Sequence, residues 1–240
     1  MMALNYTNSI PLYIQLKERI EEKIMDGVYT GKIPSERELI DEYYVSRSTV
    51  RQAIDALKQE GTLEKKPGRG TFVAIKPIND WLGSLSSTSE TIQHMGMEPG
   101  AKLVKAEGVQ LPKHLQKMIG LTEAVHIKRI RYADHIPIGV ENNYYPVEIG
   151  ENIMKYDLNK VSLYDLLEQE LGVLSIEADQ NIRSERIAKD DARLLEVPAS
   201  TSMLVAERNL NDVNSNFIEY ELASYRSDMY SFNIKLSRKK

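Results

Sequence analysis

Residues 34–73 read PSERELIDEYYVSRSTVRQAIDALKQEGTLEKKPGRGTFV and decide how the first part of the chain folds. A first helix is predicted to begin after Ser35, because Ser35 and Glu38 have the spacing of a capping box. A second helix is predicted to run from Ser46, a favourable N-cap, to Gly61, which can end it. Two helices separated by three or four residues are typical of a helix-turn-helix.

The second helix carries an apolar stripe at Val50, Ile54 and Leu57, which is the spacing of a face that packs on a core. In a helix-turn-helix the first residues of the second helix point at base edges. Arginine can bind guanine with two hydrogen bonds, and serine or threonine can meet a base or a phosphate. The candidate DNA-contacting residues of this helix are Arg47, Ser48, Thr49 and Arg51.

A basic hairpin is predicted after this helix, with strands at 62–66 and 71–74 and turn residues between them. Its charges suit DNA phosphates, and its tip is small enough for a minor groove. Either pattern alone also fits a capped surface helix or a plain hairpin turn, but their order and spacing favour a winged helix that binds double-stranded operator DNA. The hairpin residues expected at the DNA are Lys66, Gly68, Arg69 and Gly70.

The same stretch resembles the DNA-binding domain of the GntR family of bacterial transcription regulators. In that family, arginines at the places of Arg37, Arg47 and Arg51 grip the operator, with wing glycines at the places of Gly68 and Gly70. The resemblance therefore adds Ser35 and Arg37 to the DNA-binding candidates. The matching motifs are residues 34–37, 46–53, Gly61 and 68–73.

Composition limits the classes of protein that fit. The 240 residues carry a net charge of −4 and no cysteine, which excludes a disulfide framework and thiol chemistry. No apolar run approaches roughly 18 residues and no signal peptide is evident, so we expect a cytoplasmic protein without a membrane partner. Positive charge concentrates in residues 44–76 while the remainder is acidic, so DNA binding is expected in the first part only.

Three segments are expected: a winged helix-turn-helix domain over 1–76, a linker and hydroxyl-rich segment over 77–94, and a second domain over 95–240. A further helix is predicted from Pro11 to about Asp26. Residues 83–91 (GSLSSTSET) fit a flexible linker, or an anion cradle formed by hydroxyls and the amides of a helix that ends at His94. Trp81 is expected to pack the linker onto the second domain.

Helices scattered among mostly antiparallel strands predict an α+β fold for the second domain. Strands are predicted at 102–111, 124–133, 136–145, 178–187, 203–211, 217–225 and 230–236, and helices at 115–119, 162–171 and 190–196. The order resembles the effector-binding UTRA domain of the HutC branch of the GntR family, which implies a chorismate-lyase-like fold. The matching pieces are 96–100, 127–131, 136–137 with Glu141, 162–165, 207–208, and Glu219 with 225–226.

In members of that branch that sense phosphorylated sugars, these positions form the pocket. The resemblance implies that Arg129 and Arg131 hold a phosphate, and residues i and i+2 of a strand do point to one side. It also implies that hydroxyls among Ser87, Thr88 and Ser89 help. Sugar hydroxyls would be met by Glu141, Ser162, Tyr164, Glu219 and Tyr225.

Other interpretations stay open for the second domain. Arg129 and Arg131 also fit a solvated strand face, and Glu141 and Glu219 also fit surface ion pairs. The branch senses non-phosphorylated acids as well, and the hydroxyl-rich segment lacks the aromatic residue that phosphosugar sensors often carry. The domain could also only dimerise, or be a chorismate-lyase-like enzyme. Without a nucleophile–histidine pair, a metal set or a nucleotide loop, we expect no enzyme and no cofactor, but a homodimeric repressor released by a small-molecule effector.

Overall fold

The computed structural model describes residues 4–6, 9–74, 77–173 and 177–238. Contacts between Cα atoms divide the chain into two compact units, Met1–Lys76 and Pro77–Lys240.

The first unit has three helices and a hairpin. Ser35 and Ser46 cap the second and third helices, and each side chain accepts a hydrogen bond from the amide three residues on, as predicted. Leu16, Leu39 and Val50 are fully buried between the three helices. The elements are α1 (Leu12–Met25), α2 (Glu36–Tyr43), α3 (Arg47–Gln59), β1 (Leu63–Lys66) and β2 (Gly70–Val73).

The hairpin of the first unit has the predicted strands and turn. Lys66 pairs with Gly70 at the end of the antiparallel ladder. Gly68 has φ 71° and Gly70 has φ 121°, which is the left-handed region that favours glycine. The turn sequence therefore supplies the backbone freedom that the hairpin needs.

A six-stranded antiparallel sheet forms the centre of the second unit, which confirms the expected α+β class. Its strands, in their order across the sheet, are β4 (Pro99–Gln110), β5 (Glu123–Ala133), β6 (Ile136–Tyr145), β9 (Phe217–Arg226), β8 (Ser202–Asn211) and β7 (Glu177–Arg186). A separate parallel pair is formed by β3 (Ile78–Trp81) and β10 (Tyr230–Asn233).

Helices of the second unit pack on this sheet through apolar side chains. Leu163 and Leu167 pack with Ile127 and Tyr145 in one cluster, while Ala192 packs with other sheet residues in a second. The helices are α4 (Thr88–His94), α5 (Lys113–Ile119), α6 (Val147–Ile153), α7 (Leu163–Asp165) and α8 (Lys189–Leu194), and α7 continues as a π-helical segment over Leu166–Glu170.

The structure corrects several expectations. The segment 77–94, expected as a linker with a hydroxyl-rich stretch, contains β3, while the helix that one interpretation placed up to His94 is present as α4. The regular helix predicted over 162–171 becomes a π-helix after Asp165, and α6 was not predicted. Trp81, expected to be packed, is 46% exposed. The last strand ends at Asn233 rather than near residue 236 because its partner β3 has only four residues.

Candidate functional site

The first candidate site is the exposed start of α3 in the first unit. Arg47 and Arg51 lie one helical turn apart, and their side chains are 73% and 60% exposed. Their Nε atoms lie 3.5 and 3.6 Å from the two carboxylate oxygens of Glu36 on α2. Exposed ion pairs of this kind contribute about 0–1 kcal/mol. The two guanidinium groups therefore lie close together on the surface. Their ion pairs with Glu36 are weak enough that a phosphate or a base could replace the carboxylate.

The other DNA-binding candidates of α2 and α3 differ in how far they are already engaged. Arg37 and Ser48 are exposed. The hydroxyl of Ser46 lies 2.8 Å from those of Ser48 and Thr49, so the three form a local network at the helix start. Ser35 is engaged in the capping box of α2.

The hairpin presents a second basic surface. Arg69 is exposed at the turn. The Nζ atom of Lys66 lies 2.9 Å from a carboxylate oxygen of Glu64 and 4.9 Å from the centre of the Phe72 ring. Lys66 is thus a half-buried cation that packs along its strand, while Arg69 stands free for solvent or phosphate.

The second candidate site is a polar cleft in the second unit. Strands β5, β6 and β9 each direct two alternate side chains into it, β8 contributes one, and the starts of α4 and α7 border it. The free space is about 20 Å³, which is room for about one water molecule. The lining residues are Ser87, Thr88, Arg129, Arg131, Glu141, Asn143, Ser162, Leu163, Tyr164, Arg208, Glu219 and Glu221.

Glu141 occupies the middle of this cleft. Arg129 Nη2 and Arg131 Nη1 both donate to its Oε2 atom at 3.2 Å. Its Oε1 atom accepts from Thr88 Oγ1 at 2.6 Å and from the Tyr225 hydroxyl at 3.3 Å. Burial alone would raise the pKa of Glu141, but the guanidinium groups and the Thr88 hydroxyl lower it to about 2. Glu141 is therefore an ionised carboxylate that fills the position between two buried arginines.

Residues at the start of α4 accept hydrogen bonds from arginines of the cleft. Arg131 Nη2 donates to Ser89 Oγ at 2.8 Å, and Arg208 Nη1 donates to the Ser86 carbonyl oxygen at 3.3 Å. Ser87 caps α4 and forms its capping box with Glu90. The hydroxyl-rich segment is thus a folded helix start attached to the cleft by hydrogen bonds.

A second group of carboxylates lies further along the cleft. Glu221 Oε2 accepts from Arg208 Nε at 3.0 Å and from Arg208 Nη2 at 2.5 Å. Glu219 Oε1 accepts from Asn143 Nδ2 at 2.8 Å and from the Tyr145 hydroxyl. Burial and the neighbouring Glu221 raise the pKa of Glu219 to about 7. Glu219 therefore lies close to its midpoint of ionisation at neutral pH.

Unpaired polar atoms converge on this cleft. Among the described residues, the buried side-chain nitrogen and oxygen atoms without a hydrogen-bond partner are Arg129 Nε, Arg131 Nε, Asn143 Oδ1, Tyr164 OH and Glu219 Oε2. All five belong to residues that line the cleft. Buried polar groups are normally paired, and an unpaired one costs about 1–3 kcal/mol. Their convergence makes this cleft the candidate ligand-binding site of the second unit.

The structure brings most of the effector-binding candidates together. Ser87, Thr88, Arg129, Arg131, Glu141, Ser162, Tyr164 and Glu219 line the cleft, while Ser89 and Tyr225 bind to lining residues. The lining residues not selected from the sequence are Asn143, Leu163, Arg208 and Glu221. Asn143 and Glu221 lie two positions from selected residues on the same strands, so strand alternation could have found them.

In the part of the chain that the structure describes, no helix combines the length and apolar character required to cross a membrane.

Comparisons with known proteins match one family description to each unit. The family description "Bacterial regulatory proteins, gntR family" matches residues 12–73, and "UTRA domain" matches residues 94–231. The "HTH-type transcriptional repressor NagR" of Bacillus subtilis (strain 168) is 29% identical over 96% of this chain and 97% of its own length. The "Mannosyl-D-glycerate transport/metabolism system repressor MngR" of Escherichia coli (strain K12) is 26% identical over 95% of this chain and 97% of its own length.

Among solved structures, PhnF from Mycobacterium smegmatis aligns with a TM-score of 0.65 and 25% sequence identity. The alignment covers 93% of this chain and 100% of that chain. The likeness thus extends over both units.

Proposed function

Because the chain belongs to the gntR family of bacterial regulatory proteins and carries a UTRA domain, we propose that it is a repressor which a small anionic sugar derivative releases from its operator. That it is a DNA-binding transcriptional repressor, and not an enzyme, follows from its family and relatives. The identity of the effector and the way it acts are the proposal.

The observation that supports the proposal most is the set of unpaired atoms in the cleft. At one end, two buried guanidinium groups each keep a free Nε donor. Guanidinium groups bind phosphate and carboxylate with directional, charge-assisted hydrogen bonds. At the other end, Asn143 and Glu219 each keep a free acceptor oxygen, which suits ligand hydroxyls. A phosphorylated sugar has both kinds of group. The relative MngR is named for mannosyl-D-glycerate, which is likewise a sugar joined to an anion.

The size of the cleft determines how such a ligand would bind. Room for about one water molecule does not admit a sugar phosphate, so the cleft has to open. The carboxylate of Glu141 already occupies the position between Arg129 and Arg131 where a phosphate would bind. The ligand anion would therefore replace Glu141 there, and a ligand that binds the open state better shifts the population towards it.

At the DNA, we propose that two copies of the chain bind a palindromic operator. Each copy would place the start of α3 in the major groove, at half-sites about one helical turn apart. The exposed Arg47 and Arg51 would read bases, and Arg69 with Lys66 would bind the backbone from the hairpin. The homodimer itself is part of this proposal.

A thermal-shift screen of the full chain against sugar phosphates, small carboxylic acids and fatty acids tests the effector. A ligand that binds only the folded state adds about 2.7 kcal/mol at 100 times its Kd. We expect stabilisation by a sugar phosphate, and we expect it to be lost in Arg129→Lys. This substitution keeps the positive charge but removes the planar set of N–H donors of the guanidinium group. The matched control is Arg193→Lys, an exposed arginine of the same unit.

The outcomes of this screen separate the alternatives. Stabilisation only by acids without phosphate would keep the repressor and change the effector class. Stabilisation that persists in Arg129→Lys would place the anion elsewhere. No stabilisation by any compound would favour a second domain that only dimerises.

A further inference from the structure

A continuous line of side chains leads away from the cleft. The Tyr225 hydroxyl lies 2.8 Å from Thr88 Oγ1, and both hydroxyls bind Glu141 Oε1. The Tyr225 ring stacks on the Tyr230 ring, with centroids 4.0 Å apart and planes within 9°. The Tyr230 hydroxyl in turn donates to Asp80 Oδ2 at 3.0 Å. Both tyrosines are almost fully buried, so this line has little room to adjust by itself.

The line ends on β3, whose position in the chain is special. The two compact units divide between Lys76 and Pro77, so β3 (Ile78–Trp81) is the first strand that the chain enters after the DNA-binding unit. It is held by its parallel pairing with β10. The Ile78 amide donates to the Met229 carbonyl oxygen at 2.8 Å. A change at β3 therefore occurs where the polypeptide passes from one unit to the other.

Asp80 depends on this contact. Burial raises the pKa of Asp80, and the hydrogen bond from Tyr230 opposes that effect. A half-buried carboxylate that loses a hydrogen-bond donor is left partly unsatisfied, which is costly. The Tyr230 hydroxyl thus stabilises the position of Asp80 on β3.

We propose that Tyr225, Tyr230 and Asp80 relay the state of the cleft to β3, and so act as positioning residues for the response to the effector. This inference rests on the proposed function, because it names the route by which that cleft is read. An anion that replaces Glu141 removes the oxygen shared by Thr88 and Tyr225. In a close-packed interior, the released Tyr225 ring then moves against the stacked Tyr230 ring and alters its bond to Asp80.

The same strand pair offers a contact of similar strength outside this line. Ser231 Oγ lies 2.6 Å from Asn79 Oδ1 and 3.2 Å from the Ile78 carbonyl oxygen, and its single proton can be donated to either acceptor. These bonds also link β10 to β3, yet they do not lead to the cleft. Ser231→Ala is therefore the matched control for Tyr230→Phe, since each removes one hydroxyl of β10 that binds β3.

Amide hydrogen exchange of the full chain, followed by mass spectrometry over residues 77–82, tests the relay without effector or DNA. Thr88→Val removes the hydroxyl that contacts both Tyr225 and Glu141, and keeps the shape of the side chain. We expect it to speed exchange of the β3 amides about fivefold, the change that loss of one typical hydrogen bond gives. In a Tyr230→Phe background, Thr88→Val is expected to cause no further increase in the exchange rate of the β3 amides. In a Ser231→Ala background, Thr88→Val is expected to cause its full increase.

Two results would overturn the relay. One is unchanged β3 exchange in Thr88→Val, and the other is an equal effect of Thr88→Val in the wild-type and Tyr230→Phe backgrounds. Far-UV circular dichroism of each variant shows that it is folded, and Tyr225→Phe provides a second way to break the line if Thr88→Val does not fold. Because no effector is present, the relay can fail while the thermal-shift screen succeeds, and the reverse, so the two proposals are separable.

Discussion

Arginine–glutamate contacts are found in both units of the chain, in opposite surroundings. On the first unit, Glu36 faces Arg47 and Arg51 at 3.5–3.6 Å, and both arginines are largely exposed. In the second unit, Glu141 faces Arg129 and Arg131 at 3.2 Å, and all three are at most 4% exposed. Both units place one carboxylate between two guanidinium groups, and the two groups differ in how far they are exposed to solvent.

The difference shows that burial determines what an arginine–glutamate ion pair is suited to do. In water, the arginines are screened and weakly paired, so replacing Glu36 by another anion, such as a phosphate, would cost little. In the interior, attraction between the charges is stronger, and removal of one partner leaves an uncompensated buried charge. The exposed group is thus suited to a ready encounter with DNA. The buried group is suited to a switch that changes only when another anion replaces Glu141.

The largest effect is expected when the carboxylate of each group is removed. Glu141→Ala leaves two buried guanidinium groups unpaired, so we expect the second unit to lose about 3–5 kcal/mol of unfolding free energy. Glu36→Ala removes the exposed counterpart and changes the unfolding free energy by less than about 1 kcal/mol. Denaturant unfolding of both variants measures this contrast. Equal losses in the two variants would show that burial does not separate the two groups.

A smaller effect is expected for DNA binding. Arg47→Ala and Arg51→Ala are each expected to weaken operator binding by about 1–3 kcal/mol and to relax sequence preference, because in the proposed docking they remove base contacts. Lys66→Ala is the control, since loss of a phosphate contact weakens binding to all sequences and reduces the salt slope by about 1. Fluorescence anisotropy on operator and random DNA distinguishes them. Identical behaviour of Arg47→Ala and Lys66→Ala on both DNAs would mean that the contacts are assigned wrongly.

A pH dependence is also expected, and it comes from the buried cleft. The folded pKa of Glu219, about 7, lies above its ordinary value of 4.5. Between these values the folded state binds more protons than the unfolded state, so the unfolding free energy falls as pH rises from about 4.5 to about 7. Glu219→Gln, which cannot ionise, is expected to flatten this decline in denaturant unfolding followed over that range. An unchanged slope in Glu219→Gln would assign the effect to another group.

Sequence patterns were sufficient for most of the first unit. Caps at Ser35 and Ser46, the stripe with Val50, and the glycines of the hairpin are local signals, and each acts within a few residues of its position. Local signals also located the strands of the large sheet. They did not find α6, whose N-cap residue Pro146 makes no side-chain capping bond.

The parts that sequence reasoning missed depend on distant pairing. β3 pairs with β10 across some 150 residues through only four residues a strand, so neither strand indicates its partner. Arg208 belongs to one of the segments that match the family, but the sequence predicts no role for it at the cleft. A polar residue on a strand also fits a solvated face. Only the adjacency of β6, β9 and β8 places it beside Glu221. The cleft residues implied by the family resemblance were found because a resemblance to a known family also implies which strands are neighbours in the sheet.

The most direct test of the central claim is the operator affinity of the full chain with and without a saturating concentration of the sugar phosphate that stabilises it most. Replacement of Glu141 by the ligand anion is expected to weaken operator binding at least tenfold, a coupling free energy of about 1.4 kcal/mol or more. The same ligand is expected to have little effect on operator binding by Arg129→Lys. An operator affinity that stays unchanged while the ligand is bound would contradict the account.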